Sequence, residues 1–270
     1  MRRLSLDHIT AVDSDPVALA QAAADAGCAG VCLFLQSMDV LPHMPRYDLV
    51  GDRQARADCA VAMADHGITL DLAYPFTLAG RTDIADFEAA LACAAELGAP
   101  LVNVLAYDRD PARRVDRFGA FCDLADSYGL GVAVEFYPVS QVRSLAEALA
   151  LVAAIGRPGR VGVNADILHL MRSGGTIAEL AAAPEELILY GQLCDGPATI
   201  APELLGEEAS SARLLASQGV FELAAFVRAL PEGCPVSVEI PRDAALASGE
   251  SRTARVTRAV DGVRRLLAEA

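Results

Sequence analysis

The sequence predicts an α/β fold, a single-domain (β/α)₈ TIM barrel spanning residues 1–270, and three observations carry that prediction. Short apolar runs of strand character alternate with amphipathic helical patterns at intervals of roughly 30 residues. Eight such strand–helix pairs can be placed, whereas an open doubly wound sheet usually stops at about five or six strands. The chain of 270 residues also matches the size of one barrel, about 250 residues, with no linker, low-complexity tract or second domain.

The elements follow in order. The first strand is predicted over Leu4–Ile9; Asp15-Pro16 then opens a helix, Asp as cap and Pro at the first helical position, and Gly27 closes it. Gly30–Leu35 is the second strand, and its Pro-, His- and Met-rich loop leads into a helix ending at His66-Gly67. Ile68–Ala73 is the third, followed by a helix with Ile84, Phe87, Leu91 and Ala94 on one face. Pro100–Ala106 is the fourth; Asp110-Pro111 opens its helix, striped by Val115, Phe118, Cys122 and Ala125. Leu130–Phe136 is the fifth, with a capping-box helix start at Ser144 and Glu147. Arg160–Ala165 is the sixth, with a weak helix near Thr176–Ala182, and Leu187–Leu193 is the seventh. A long loop to about Ser217 precedes the helix Phe221–Leu230. Pro235–Ile240 is the eighth strand, and Val256, Val260, Val263 and Leu267 line the last helix.

Composition narrows the partners. Apolar residues make up 53% and charged ones 21%, enough for a large core. No apolar run reaches the roughly 18 residues of a membrane span, and Asp7 and His8 interrupt the start before any signal-peptide core develops, so a cytoplasmic protein is expected. A net charge of −14 disfavours nucleic acid as the main partner. The seven cysteines include no Cys-x-x-Cys pair and lie among alanine and valine, where they read as small apolar residues.

Chemistry in such a barrel sits at the carboxyl ends of the strands, where the loops converge. Those ends read Val-Glu135-Phe, Asn-Ala-Asp166, Tyr-Gly-Gln192-Leu-Cys-Asp195 and Val-Glu239-Ile on the last four strands. Singly, each residue is as well explained as a helix cap or an arginine partner. Together they bring three carboxylates and an amide to one region, which is costly without a countercharge. One divalent metal ion bound by Glu135, Asp166, Gln192 and Glu239 resolves the conflict. A hard oxygen set favours Mn²⁺ or Mg²⁺, with Co²⁺ or Zn²⁺ as alternatives.

The runs Val-Glu135-Phe-Tyr-Pro, Asp166-Ile-Leu-His169-Leu-Met-Arg172-Ser-Gly, Gln192-Leu-Cys-Asp195 and Val-Glu239-Ile-Pro resemble the xylose-isomerase-like sugar phosphate isomerase/epimerase family over essentially the whole chain. That resemblance implies that Glu135 and Glu239 bind metal and exchange protons with the substrate, that Asp166 is a ligand, and that His169 contacts a substrate oxygen. The ligand on the seventh strand is usually histidine in the family, and here it is Gln192. Arg213 matches the family's basic residue after that strand, although the Pro-Gly-Glu-Gly that often follows is Ala-Ser-Gln-Gly219; Arg172 is a second candidate for holding an anionic group. The expected activity is isomerisation or epimerisation of a ketose or related keto-polyol through an enediolate. Dehydration of a dehydro-sugar or cyclic keto-polyol is an alternative on the same ligands, and a non-catalytic barrel subunit is another; the expected partners are a small carbohydrate-like molecule and further copies of the chain in a homo-oligomer. Phe34, Tyr74, Phe76, Phe136 and Tyr137 are candidates for an apolar wall, and His8 and His43 for the mouth. His66, before Gly67, reads as a helix-end residue.

Overall fold

The computed structural model describes residues 2–269. Eight parallel strands close on themselves: β1 (Leu4–Asp7), β2 (Gly30–Phe34), β3 (Thr69–Leu78), β4 (Leu101–Ala106), β5 (Gly131–Glu135), β6 (Val161–Asp166), β7 (Ile188–Leu193) and β8 (Val236–Val238). The barrel seals where Leu4, Ser5 and Leu6 pair with Val236, Ser237 and Val238. Closure leaves no sheet edge, and helices cover the outside, as the near-continuous apolar strands require.

The helix signals behave as local chemistry dictates. Asp15 caps α1 (Pro16–Asp25) by accepting from the Ala18 amide at 2.8 Å, and Asp110 caps α4 (Pro111–Ser127) through the Arg113 amide at 2.9 Å. Ser144 caps α5 (Leu145–Ile155) through Glu147. Each such cap stabilises its helix by about 1 kcal/mol. Between α1 and α4 lie α2 (Arg53–Asp65) and α3 (Glu88–Glu96).

Two boundaries differ in ways that matter for the site. The first strand stops at Asp7, because Asp7 turns its side chain back to the Ile9 amide and caps a 3₁₀ turn over His8–Ala11. After β6 the chain enters a helix at once: α6 (Ile167–Arg172) is capped by Asp166, whose Oδ1 accepts from the Leu168 amide at 2.7 Å. A second short helix, α7 (Ile177–Ala181), carries a complete capping box between Thr176 and Glu179. In the second half α8 (Leu205–Ser211) lies within the long segment that follows β7, α9 (Leu223–Ala229) closes that segment, and α10 (Asp243–Ala247) and α11 (Arg252–Glu269) follow.

The loop after β7 is organised by one carboxylate. Asp195 is buried, and it accepts from the backbone amides of Gly196, Ser217, Gly219 and Phe221 at 2.8–3.1 Å. Four amides converging on one carboxyl group fix the segment without a sheet or helix. Gly219 is obligatory there, since a Cβ would stand 2.2 Å from the Gly196 carbonyl oxygen. The same segment is stitched to the barrel by isolated bridges, Asp195 with Leu214 and Ala212 with Arg242. These contacts hold Arg213 over the barrel mouth.

All seven cysteines are free and buried. Among the described residues no helix is long and apolar enough to cross a membrane.

Candidate active site

The strand register sets a top layer of side chains at the carboxyl end of the barrel. Leu105 pairs with Glu135, Phe34 with Tyr74, and Asp166 with Gln192. Because strand side chains alternate in direction, residues two positions earlier form the layer beneath. Asn103 lies below Leu105, Asn164 below Asp166, and Cys32 below Phe34.

A cavity of about 350 Å³ opens above this layer, within the size range of small-molecule sites. Glu135, His169, Arg213 and Glu239 line one side of it, with Asn103 at its floor. A larger groove of about 620 Å³ lies at the opposite end of the barrel around Arg2, Leu180 and Pro231. It contains none of the buried acids, so the chemistry belongs to the smaller cavity.

The acidic side is densely connected. His169 Nε2 stands 3.2 Å from Glu135 Oε1 and 3.6 Å from Asp166 Oδ2, and its ring packs on Tyr137 with centroids 4.6 Å apart. Arg213 Nη1 donates to Asp166 Oδ2 at 2.6 Å and to Glu239 Oε2 at 3.0 Å, while its Nε donates to the Ala209 carbonyl. The guanidinium is 2% exposed, so it is a fully desolvated cation bridging two carboxylates.

Beneath them runs a row of amides. Asn103 Nδ2 donates to Glu135 Oε2 at 2.5 Å; Asn164 Nδ2 donates to both Asn103 Oδ1 (3.2 Å) and Gln192 Oε1 (2.6 Å). Gln192 Nε2 in turn reaches Asp7 Oδ2 at 3.4 Å, and the Tyr74 hydroxyl donates to Asp7 Oδ1. Asp7, Asn103 and Asn164 were not expected from the sequence. Asn103 and Asn164 carried a readable signal, a lone amide inside an apolar strand; Asp7 was hidden by a strand end set two residues too late.

Electrostatics separate the acids. Burial pushes the Asp166 carboxyl up, but the charges of Arg213 and His169 outweigh it and hold Asp166 below its ordinary range. Burial drives Glu239 well above its ordinary range; Arg213 opposes this, and the charges of Asp7, Asp166 and Glu135 reinforce it. Although Arg213 touches both, Asp166 gains more, having the shorter contact and His169 beside it. Burial also lifts Asp7 to about 7, against the Tyr74 hydroxyl and the Ile9 amide.

These shifts bear on a metal ion. Four buried carboxylates (Asp7, Glu135, Asp166, Glu239) meet one permanent cation, Arg213, and a histidine. Such an excess of desolvated acid fits a dication. Glu135, Asp166 and His169 present ligand atoms all within 4.8 Å of one another. Glu239 lies outside that group, held by Arg213, and Gln192 turns its oxygen to Asn164.

The remaining expected site residues fall elsewhere. Arg172 is not part of the cavity: both guanidinium arms engage Glu208 at 2.6 Å, and the group lies over the Phe221 ring. This pairing pins α8 against α6. Phe34, Tyr74 and Tyr137 line the cavity, whereas Phe76 and Phe136 are buried in the core outside it. His8 is fully buried, bonded to the Ser14 carbonyl at 3.0 Å, and His43 is an exposed loop residue 3.7 Å from Asp243. His66 is the residue capping the C-terminus of α2.

The sequence model of the family described as xylose isomerase-like TIM barrel matches residues 20–267. No curated protein gives a significant match. Among solved structures, a xylose isomerase-like TIM barrel/4-hydroxyphenylpyruvate dioxygenase fusion protein superposes with a TM-score of 0.78 at 24% identity, covering 98% of this chain and 42% of that protein. The IOLI protein, solved with a bound zinc atom, gives a TM-score of 0.77 at 20% identity and 99% and 98% coverage. D-psicose 3-epimerase from Clostridium cellulolyticum H10, solved with D-tagatose, gives 0.72 at 12% identity, with 98% of each chain covered. The neighbours are mostly enzymes, among them epimerases and a dehydratase.

Proposed function

Because this chain belongs to the xylose isomerase-like TIM barrel family, we propose that it is a metal-dependent isomerase or epimerase moving a proton on the carbon beside a carbonyl. The observation that carries this reading is that Glu135 and Glu239, from different strands, line one cavity together with His169 and Arg213.

Glu135 is the base. Asn103 holds its Oε2 from below, which fixes the carboxylate and leaves Oε1 towards His169. Glu239 is the complementary acid: burial and three neighbouring carboxylates favour its protonated form, ready to return a proton. His169 and Arg213 supply donors to the oxygens on which negative charge develops during α-proton loss. Glu135 and Asp166 would hold the divalent ion together with His169, whose ligand atom lies within 4.8 Å of theirs, with Gln192 contributing if its oxygen is released by Asn164, which leaves Glu239 to carry the proton. When bound, such an ion polarises the substrate carbonyl and eases loss of the neighbouring proton.

The test is α-proton exchange in D₂O, followed by NMR over a panel of ketoses and simpler hydroxyketones with Mn²⁺, Mg²⁺ or Zn²⁺ present. Wild type is expected to exchange the α-proton of at least one substrate. Glu135→Gln and Glu239→Gln are each expected to lower the rate by at least about a hundredfold with the fold intact by circular dichroism. Full exchange in both variants would refute the assignment.

A further inference from the structure

The barrel mouth is divided by strand. β5 to β8 contribute Glu135, the Asp166-capped helix with His169, and Glu239, all on one side of the cavity. The opposite side is built from β1 to β4 and presents Ile9, Phe34, Tyr74 and Leu105. The loop after β2 adds Met38 and Val40 above that wall.

Polar groups on this second side are few: Tyr74, Asn103, Thr77 and Tyr107. The Tyr74 hydroxyl is bonded to Asp7, and the Asn103 amide is bonded to Glu135 and Asn164. Thr77 is exposed at the edge. A chain of sugar hydroxyls placed here would be desolvated against aliphatic and aromatic carbon with few partners, and each hydroxyl left unpaired weakens binding. Val40, meanwhile, is a large apolar side chain left 78% exposed at the rim, and Phe34 packs edge-on against Tyr74 with centroids 4.3 Å apart. That surface is suited to carbon.

We infer that the substrate is two-ended: a hydroxyketone head at Glu135, His169, Arg213 and Glu239, and an apolar arm, aryl or alkyl, lying along Ile9, Phe34, Tyr74 and Leu105. The inference rests on the proton-transfer reading for the head alone. The arm is recognised by the shape and chemistry of the β1–β4 wall, which would not favour a polyhydroxylated tail.

Binding and turnover separate the two ideas. Calorimetric titration with 1-hydroxy-4-phenylbutan-2-one and with D-fructose measures the arm, at fixed Mn²⁺. The phenyl ketone is expected to bind at least about tenfold more tightly, since burying an arm of this size removes on the order of 100 Å² of apolar surface from water. Leu105→Gln and Met38→Gln are each expected to reduce that preference several-fold; Met38 sits in a loop, so its variant reports even where Leu105→Gln does not fold. D-Fructose binding as tightly as the phenyl ketone, or neither ligand binding, would overturn the inference. Exchange of the α-protons of hydroxyacetone, which has the head without an arm, is measured alongside. Its failure with the preference intact would strike the proton-transfer reading and leave the two-ended site standing.

Discussion

Replacing Arg213 by methionine keeps most of the side-chain volume and removes the cation between Asp166 and Glu239. The guanidinium is 2% exposed and makes contacts of 2.6 and 3.0 Å to the two acids, so nothing in solvent can substitute for it. Breaking a buried ion pair by deleting one partner costs roughly 3–5 kcal/mol. The lower end is expected here, about 3 kcal/mol, because Glu239 already favours its protonated form and the unbalanced charge is chiefly that of Asp166. In a chain of this length that corresponds to roughly 6–12 °C in Tm. The pH dependence has a definite sign. In the wild type Arg213 and His169 depress the Asp166 carboxyl, which contributes stability above its unfolded value of about 3.9; without Arg213 that contribution falls, and the deficit shrinks as acid protonates Asp166. Guanidinium-chloride denaturation with EDTA present, at pH 8 and pH 5, measures both quantities. The same carboxylates, once freed, should accept a dication more readily than in the wild type. Mn²⁺ at a hundred times its dissociation constant would then restore about 2.7 kcal/mol. A loss below about 1 kcal/mol at pH 8, or equal losses at both pH values, would refute the view that Arg213 is the counter-ion of this site.

Other consequences are open to measurement. Burial lowers His8 to about 4, so its neutral form is favoured by folding: stability is full above pH 6.5 and falls on acidification towards pH 4, by roughly 2 kcal/mol between pH 7 and pH 5. Asp7, raised to about 7, titrates with the opposite sign over the same interval, so the informative quantity is the difference between wild type and His8→Gln; a difference independent of pH would contradict the assignment. Asp195→Ala removes the acceptor of four loop amides and is expected to destabilise by about 3 kcal/mol, with faster hydrogen exchange at Ser217, Gly219 and Phe221. Unchanged exchange at those amides would show that the loop is held by something else.

The fold was legible because its signals are local. Asp15-Pro16, Asp110-Pro111 and Ser144 mark helix starts by chemistry that operates within a few residues, and the structure places caps at each. Glu135 and Asp166, the last residues of β5 and β6, and Glu239, one residue past β8, were legible for a related reason: once the strands are placed, their ends meet at one mouth. What escaped depends on distance through space. Arg172 and Arg213 look alike in the sequence, both in loops beside the barrel mouth. Only the placement of Glu208, 36 residues along the chain from Arg172, decides that one guanidinium braces a helix while the other enters the site. The direction of the Gln192 amide likewise depends on Asn164 and Asp7, on β6 and β1.

The amide row under the cavity has a consequence of its own, which follows from counting hydrogens. It ends on an acid at each side, Glu135 and Asp7. Two acceptor termini force the polarity to reverse once in between, and Asn164 is where it does so, giving both its hydrogens away; its Oδ1 is accordingly left with no partner. A single proton on Asp7 would cure the mismatch. With Asp7 neutral and the Gln192 and Asn164 amides reoriented, Asp7 can donate to Gln192 and Gln192 to the Asn164 oxygen, so that every amide points the same way round. The orientation of Gln192 is therefore tied to the ionisation of Asp7, two strands further round the closed barrel.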